Sequence, residues 1–140
     1  MDPNEAISKI EAKLHECIIS GIEGIFPWLE EKNLGFLVAI LANLLREMQE
    51  LLLVPLAAGT FEFDIIPPSE ALTEAANIAD ELCGWAPTMG DWNDYKEWLR
   101  RVAEMLKLLA DALEGLPEFM QLVRVLRMLA AWLMYVWQFT

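Results

Sequence analysis

Apolar residues recur at intervals of three and four from the start of the chain. Ile7, Ile10, Leu14, Cys17 or Ile18, Ile22 and Ile25 fall on one stripe of a helix, which predicts a first helix over about 4–26, ahead of Pro27. Beside that stripe runs a row of small residues, Cys17, Ser20, Gly21 and Gly24. Glycine costs helix propensity, so the row marks either a tight crossing with another helix or a helix weakening towards its end. Residues 27–33 read as a connector with room for a short helical turn. A second helix is predicted over 34–54, where Asn43, Arg46, Glu47 and Glu50 share one narrow stripe and nearly everything else is apolar. That pattern predicts a helix covered on most sides, central to a bundle or to an oligomer.

Pro55 is the expected stop of this helix, and 55–68 reads as an irregular connector. Within it, Phe61-Glu62-Phe63-Asp64-Ile65-Ile66 begins as an alternation of apolar and acidic residues. The segment is either a loop pinned to the bundle by Phe61 and Phe63 or an extended arm that pairs with a neighbouring copy. Ser69 is the expected N-cap of a third helix over 70–83, stopped by Gly84. After a loop from Trp85 to Gly90, Asp91 is the expected N-cap of a fourth helix over 92–114, with Asp94 well placed for the helix dipole. The fourth helix carries the clearest apolar stripe: Trp92, Tyr95, Trp98 or Leu99, Val102, Leu106, Leu109 and Leu113. Gly115 ends it and Pro117 opens a fifth helix over 117–138, so the last two helices are expected to form an antiparallel hairpin. The pattern as a whole predicts an all-α fold, a bundle of about five helices in a single domain spanning 1–140.

The fifth helix changes the picture most, because after Phe119 its only charges are Arg124 and Arg127, and from Met128 onward it has none. Such a surface must be removed from water. Trp132, Leu133, Tyr135, Val136, Trp137 and Phe139 are the candidate interface residues. At about 1.5 Å per residue the segment from Phe119 to Thr140 could reach across a hydrocarbon core of roughly 30 Å, but both arginines would have to snorkel or pair. Membrane contact therefore ranks below self-association. Composition points the same way: 56% of residues are hydrophobic even without the glycines, against about 45–50% with glycine in ordinary domains.

The net charge of −12 is unevenly spread. No lysine or arginine occurs between Arg46 and Lys96, while ten acids do, from Glu47 to Asp94. Phosphate recognition needs a basic face, so nucleic-acid binding is disfavoured. The acidic band serves either as a solvated surface that keeps an apolar protein soluble or as a docking face for a basic protein. The first five residues have no basic start followed by an apolar run, hence no secretory signal. Cys17 and Cys83 form no C-x-x-C pair and are expected as free buried thiols in a reducing compartment, with a single disulfide as the alternative. Both features favour a cytoplasmic location.

Catalytic and metal signatures are missing from the sequence. It contains no phosphate-binding glycine loop, no dinucleotide fingerprint, no H-E-x-x-H and no nucleophile elbow. The single histidine, His15, lies one turn after Glu11, but Ala12 stands where a di-iron Glu-x-x-His motif needs its acid. Asp91-x-Asn93 resembles the start of a calcium loop, yet Tyr95 and Lys96 occupy positions that need an oxygen ligand and glycine. No catalytic, cofactor-binding or metal-binding residue is assigned. Trp92, Trp98, Trp132 and Trp137 lie on apolar helix faces and either fill the core or line a pocket or interface.

These observations predict a non-enzymatic structural or interaction protein that forms a homo-oligomer through apolar helix surfaces. The alternatives are an acidic binding or inhibitor module for a basic partner, a membrane-associated helical protein, and a designed bundle. Uneven charge, two odd cysteines and a long irregular connector are unlike idealised design.

Overall fold

Asp2 starts the first helix: its Oδ1 accepts hydrogen bonds from the backbone N–H groups of Asn4 and Glu5 at 2.7 and 3.2 Å. The computed structural model describes residues 2–57, 67–85 and 91–140. Helix α1 (Pro3–Lys13) passes through a π-helical turn (Leu14–Ile18) into α2 (Ile19–Glu23). The helix expected to reach Phe26 thus ends at Gly24 and carries a wide turn within it. The supposed connector is itself a short helix, α3 (Phe26–Glu31), with Pro27 in its first turn where a missing N–H costs nothing. Asn33 adopts φ 60°, and the N–H groups of Asn33 and Leu34 bond back to Glu30 and Leu29 at 3.1 and 2.8 Å, closing α3 as a Schellman turn.

Helix α4 (Gly35–Ala57) continues past Pro55, which therefore does not stop it. Nor is α4 central. It buries one face, Leu37, Leu41, Leu44, Leu45 and Met48, and leaves Phe36, Ala39, Ala42 and the polar stripe in solvent. Ala39 and Ala42 look apolar in the sequence but carry so little surface that their exposure costs little. The segment containing Phe61 and Phe63 and the loop around Pro87 lie outside the described residues.

Helix α5 (Glu70–Trp85) is capped by Ser69, whose Oγ accepts from the Leu72 N–H at 3.1 Å, and it runs one residue past Gly84. Helix α6 (Trp92–Leu113) is capped by Asp91, which accepts from the Asp94 N–H at 2.9 Å. After Gly115, at φ 87°, a 3₁₀ turn (Pro117–Phe119) leads into α7 (Met120–Phe139). No strand occurs among the described residues, and the architecture is an all-α bundle.

Helix α6 is the centre of that bundle. It packs against α5 on one side and α7 on the other, α5 packs in turn on α1, and α7 on α4. Lys96 Nζ stands 5.6 Å from the ring centre of Trp137, whereas Arg127 reaches Asp111 and Glu114. Early residues of α6 thus meet late residues of α7. The buried side chains form one continuous core.

The row of small residues receives aromatic side chains of α6. Trp98 is fully buried, donates its Nε1–H to the Leu82 carbonyl at 3.0 Å, and lays its ring against Gly21, where any Cβ would overlap it. A Cβ at Gly24 would lie 3.2 Å from the Tyr95 hydroxyl. Cys17, in the same row, is bonded to Cys83 on α5, correcting the expectation of free thiols. Their Cα atoms are 5.5 Å apart because α5 packs along α1 and the π turn, a separation that suits a disulfide. The cysteines accordingly give no support to a reducing compartment.

Candidate interaction surface

Helix α7 divides its apolar residues between two faces. Leu122, Val125, Leu126, Leu129, Leu133 and Val136 point into the core, and Leu133 and Val136 are fully buried there. Those two, expected at an interface, are instead consumed by the chain's own packing and present no surface to a partner. Trp137 is half-buried beneath the Lys96 ammonium. Trp132 and Tyr135 are half-buried and Phe139 is 65% exposed, so four of the six candidates keep surface.

Three of these form a ladder along the outer face. Trp132 meets Tyr135 edge to face at 5.5 Å between ring centres, and Tyr135 meets Phe139 at 4.5 Å. Rings at these separations attract one another and hold each other's rotamers, so the ladder is a stiff apolar surface. Towards the helix start the face continues through Ala131, Met128 (46% exposed) and Arg124 to Met120 (63% exposed). It carries no carboxylate.

The two arginines on this helix differ. Arg127 is held between Asp111 and Glu114 at 3.2 and 3.0 Å, and the hydrogen bonds it donates to Glu114 and then Asp111 raise its pKa above the ordinary guanidinium value. Arg124 has no acidic partner among the described residues and lies at the edge of an apolar groove of about 460 Å³. Leu116, Pro117, Met120 and Val123 line that groove, at the turn between α6 and α7. A smaller hollow of about 300 Å³ at the opposite end of α7 is bounded by Trp28, Lys32, Leu34, Phe139 and Thr140. Trp28 stacks on Trp92 at 3.7 Å, and the buried Trp92 Nε1 has no hydrogen-bond partner among the described residues. Sequence reading missed both hollows. The turn Gly115-Leu116-Pro117 pointed to a sharp reversal, but a reversal shows a cleft only when the flanking side chains are placed.

Two of the ten acids of the band, Asp80 and Glu81, are paired with bases from other helices. Asp80 lies 2.5 Å from Lys9 Nζ and 3.7 Å from Lys13 Nζ, and Glu81 bonds to Arg101 at 2.7 Å. The hydrogen bond from Lys9, with the charges of Lys9 and Lys13, holds the Asp80 carboxyl below its ordinary range. His15 is exposed, and no group of three metal-ligating side chains occurs among the described residues. One helical stretch among them, Pro117–Phe139, is long and apolar enough to cross a membrane, with mean hydropathy 1.4 and half of its window buried inside the fold. Comparison with protein-family models, curated proteins and solved structures finds no match, so the chain's own geometry carries the functional reading.

Proposed function

We propose that this protein is a non-enzymatic interaction and structural bundle that self-associates through the outer face of α7. The observation that carries this reading is the Trp132–Tyr135–Phe139 ladder, facing outward on a helix whose opposite face is already used by the core. A contiguous aromatic and aliphatic stripe of this kind is a cost in water that association removes. Within the acidic band, Asp80 and Glu81 are engaged by lysine and arginine of the same chain, which withdraws these two from a basic partner.

Sedimentation without detergent over a wide concentration range tests the reading. The expected result is a concentration-dependent oligomer that Tyr135→Glu disrupts while the helical content stays unchanged. A monomer at every concentration, or binding to neutral lipid vesicles through α7, would overturn it.

A further inference from the structure

We propose that the Cys17–Cys83 bridge is a redox-sensitive clamp on the slot that holds Trp98: oxidised, it locks the slot; reduced, it lets the ring move while the bundle stays folded. The slot has two walls. On one, Gly21 lies against the benzo edge of the ring, closer than any Cβ would permit. On the other, the Leu82 carbonyl accepts the Nε1–H of Trp98 at 3.0 Å. Cys17 stands one helical turn before Gly21 and Cys83 directly follows Leu82, so the bridge fastens together the same two walls. With the two Cα atoms held 5.5 Å apart, the walls cannot part there unless the bond opens.

The wall that carries Gly21 has little local stability of its own. Helix α2 is five residues long, contains Gly21, ends at Gly24 and follows a π turn, an infrequent geometry for a backbone. A helix of that length does not persist without tertiary support. Away from the slot, α1 and α5 are joined independently of the bridge, by Lys9 and Lys13 on Asp80 and by a core that includes Ile10, Ala75 and Ala79. Opening the bond therefore frees the slot and leaves the bundle.

A dithiol supplies the chemistry. Both sulfurs are half-buried, within reach of a small reductant. A thiolate of the dithiol attacks one sulfur, which breaks the S–S bond and forms a mixed disulfide; its second thiol then displaces the protein, leaving the reductant as a disulfide. Two electrons and two protons pass to Cys17 and Cys83. Each sulfur lies 3.6 Å from the Lys13 carbonyl oxygen, an acceptor for a newly formed S–H.

Exchange of the Trp98 indole N–H with deuterium, followed by NMR in the oxidised and the dithiothreitol-reduced full chain, tests the clamp. Reduction should speed this exchange by at least about tenfold while the far-ultraviolet circular dichroism stays unchanged. In the reduced chain the Trp98 rate should not depend on low urea, the mark of local opening, whereas the Leu126 and Leu129 amides of α7 should keep the urea dependence of global unfolding. Oxidised glutathione should restore slow exchange. The double variant Cys17→Ser, Cys83→Ser should exchange fast with or without dithiothreitol. Loss of helix on reduction or in the double variant would make the bridge a purely structural staple and overturn the clamp. So would Trp98 exchange that is unchanged, or that shares the urea dependence of α7, or a bond that dithiothreitol does not open in the folded chain.

Discussion

Helices α6 and α7 lie side by side and are almost equally long, yet they meet water differently. Inward they match: Leu99, Leu106 and Leu109 on α6 are as fully buried as Leu126, Leu129 and Leu133 on α7. Outward, α6 presents Glu97, Arg100, Arg101 and Glu104, joined in ion pairs of 2.7–3.0 Å, whereas α7 presents methionine, alanine and aromatic rings. Exposed ion pairs add little stability, and their effect is to keep a face solvated. The stability of the bundle therefore depends on inner faces that are alike, and a difference in purpose is legible only on the outer ones.

The largest effects should come from the inner faces. Leu106→Ala and Leu133→Ala should each lose about 2–5 kcal/mol in urea unfolding, the cost of a large-to-small change in a closed core. A loss below about 1 kcal/mol at Leu133 alone would break the equality of the two helices.

Next comes the bridge, which ties α5 to the π-helical turn between α1 and α2. By chain entropy, closing a loop of 66 residues stabilises by about 4 kcal/mol, and engineered cases often deliver less. Cys17→Ser should lower stability by about 2–4 kcal/mol, and reductant should do the same to the native chain but not to the variant. Equal stability with and without reductant would show that the bridge contributes nothing.

Outer-face changes should then separate the helices. Lys107→Glu on α6 should leave both stability and association nearly unchanged, within about 0.5 kcal/mol. Tyr135→Glu on α7 should leave the monomer folded but weaken association at least tenfold, about 1.4 kcal/mol. Equal effects at the two positions would remove the contrast. Association should also strengthen with added salt, since two chains of charge −12 repel and salt screens that repulsion.

The smallest effect lies at Asp80. Its folded-state pKa is lowered, so its contribution is present above its ordinary value of 3.8 and is lost as pH falls through that value towards the lowered one. An acid titration of stability should show a shallow loss there that Asp80→Asn abolishes. The effect is small because the carboxylate remains 42% exposed and water screens its partners.

Much of the fold was legible because its signals are local. Ser69 and Asp91 cap the helices they were expected to cap, since a side chain and an N–H three residues on are joined by the helix geometry itself. The apolar stripe of α6 is legible for the same reason, one turn setting the next. Where local signals competed, the reading erred. Pro55 was weighed as a stop, yet a helix can lose one N–H bond and continue. Two of the six candidate interface residues, Leu133 and Val136, lie on the core side of α7, because Leu133 and Tyr135 are both apolar by type and differ in which neighbours surround them.

By itself, then, the sequence determined where the five long helices lie, that Ser69 and Asp91 cap two of them, and that the last helix carries more apolar surface than one face requires. Periodicity and capping act over a few residues, and nothing distant need be known. Tertiary structure alone decided that Cys17 meets Cys83, that Gly21 receives the ring of Trp98, that α4 lies at the edge rather than the centre, and which side of α7 is left for a partner. Each of these depends on helices far apart in the chain coming to pack at van der Waals distance, and that is settled by the filling of the shared core as a whole.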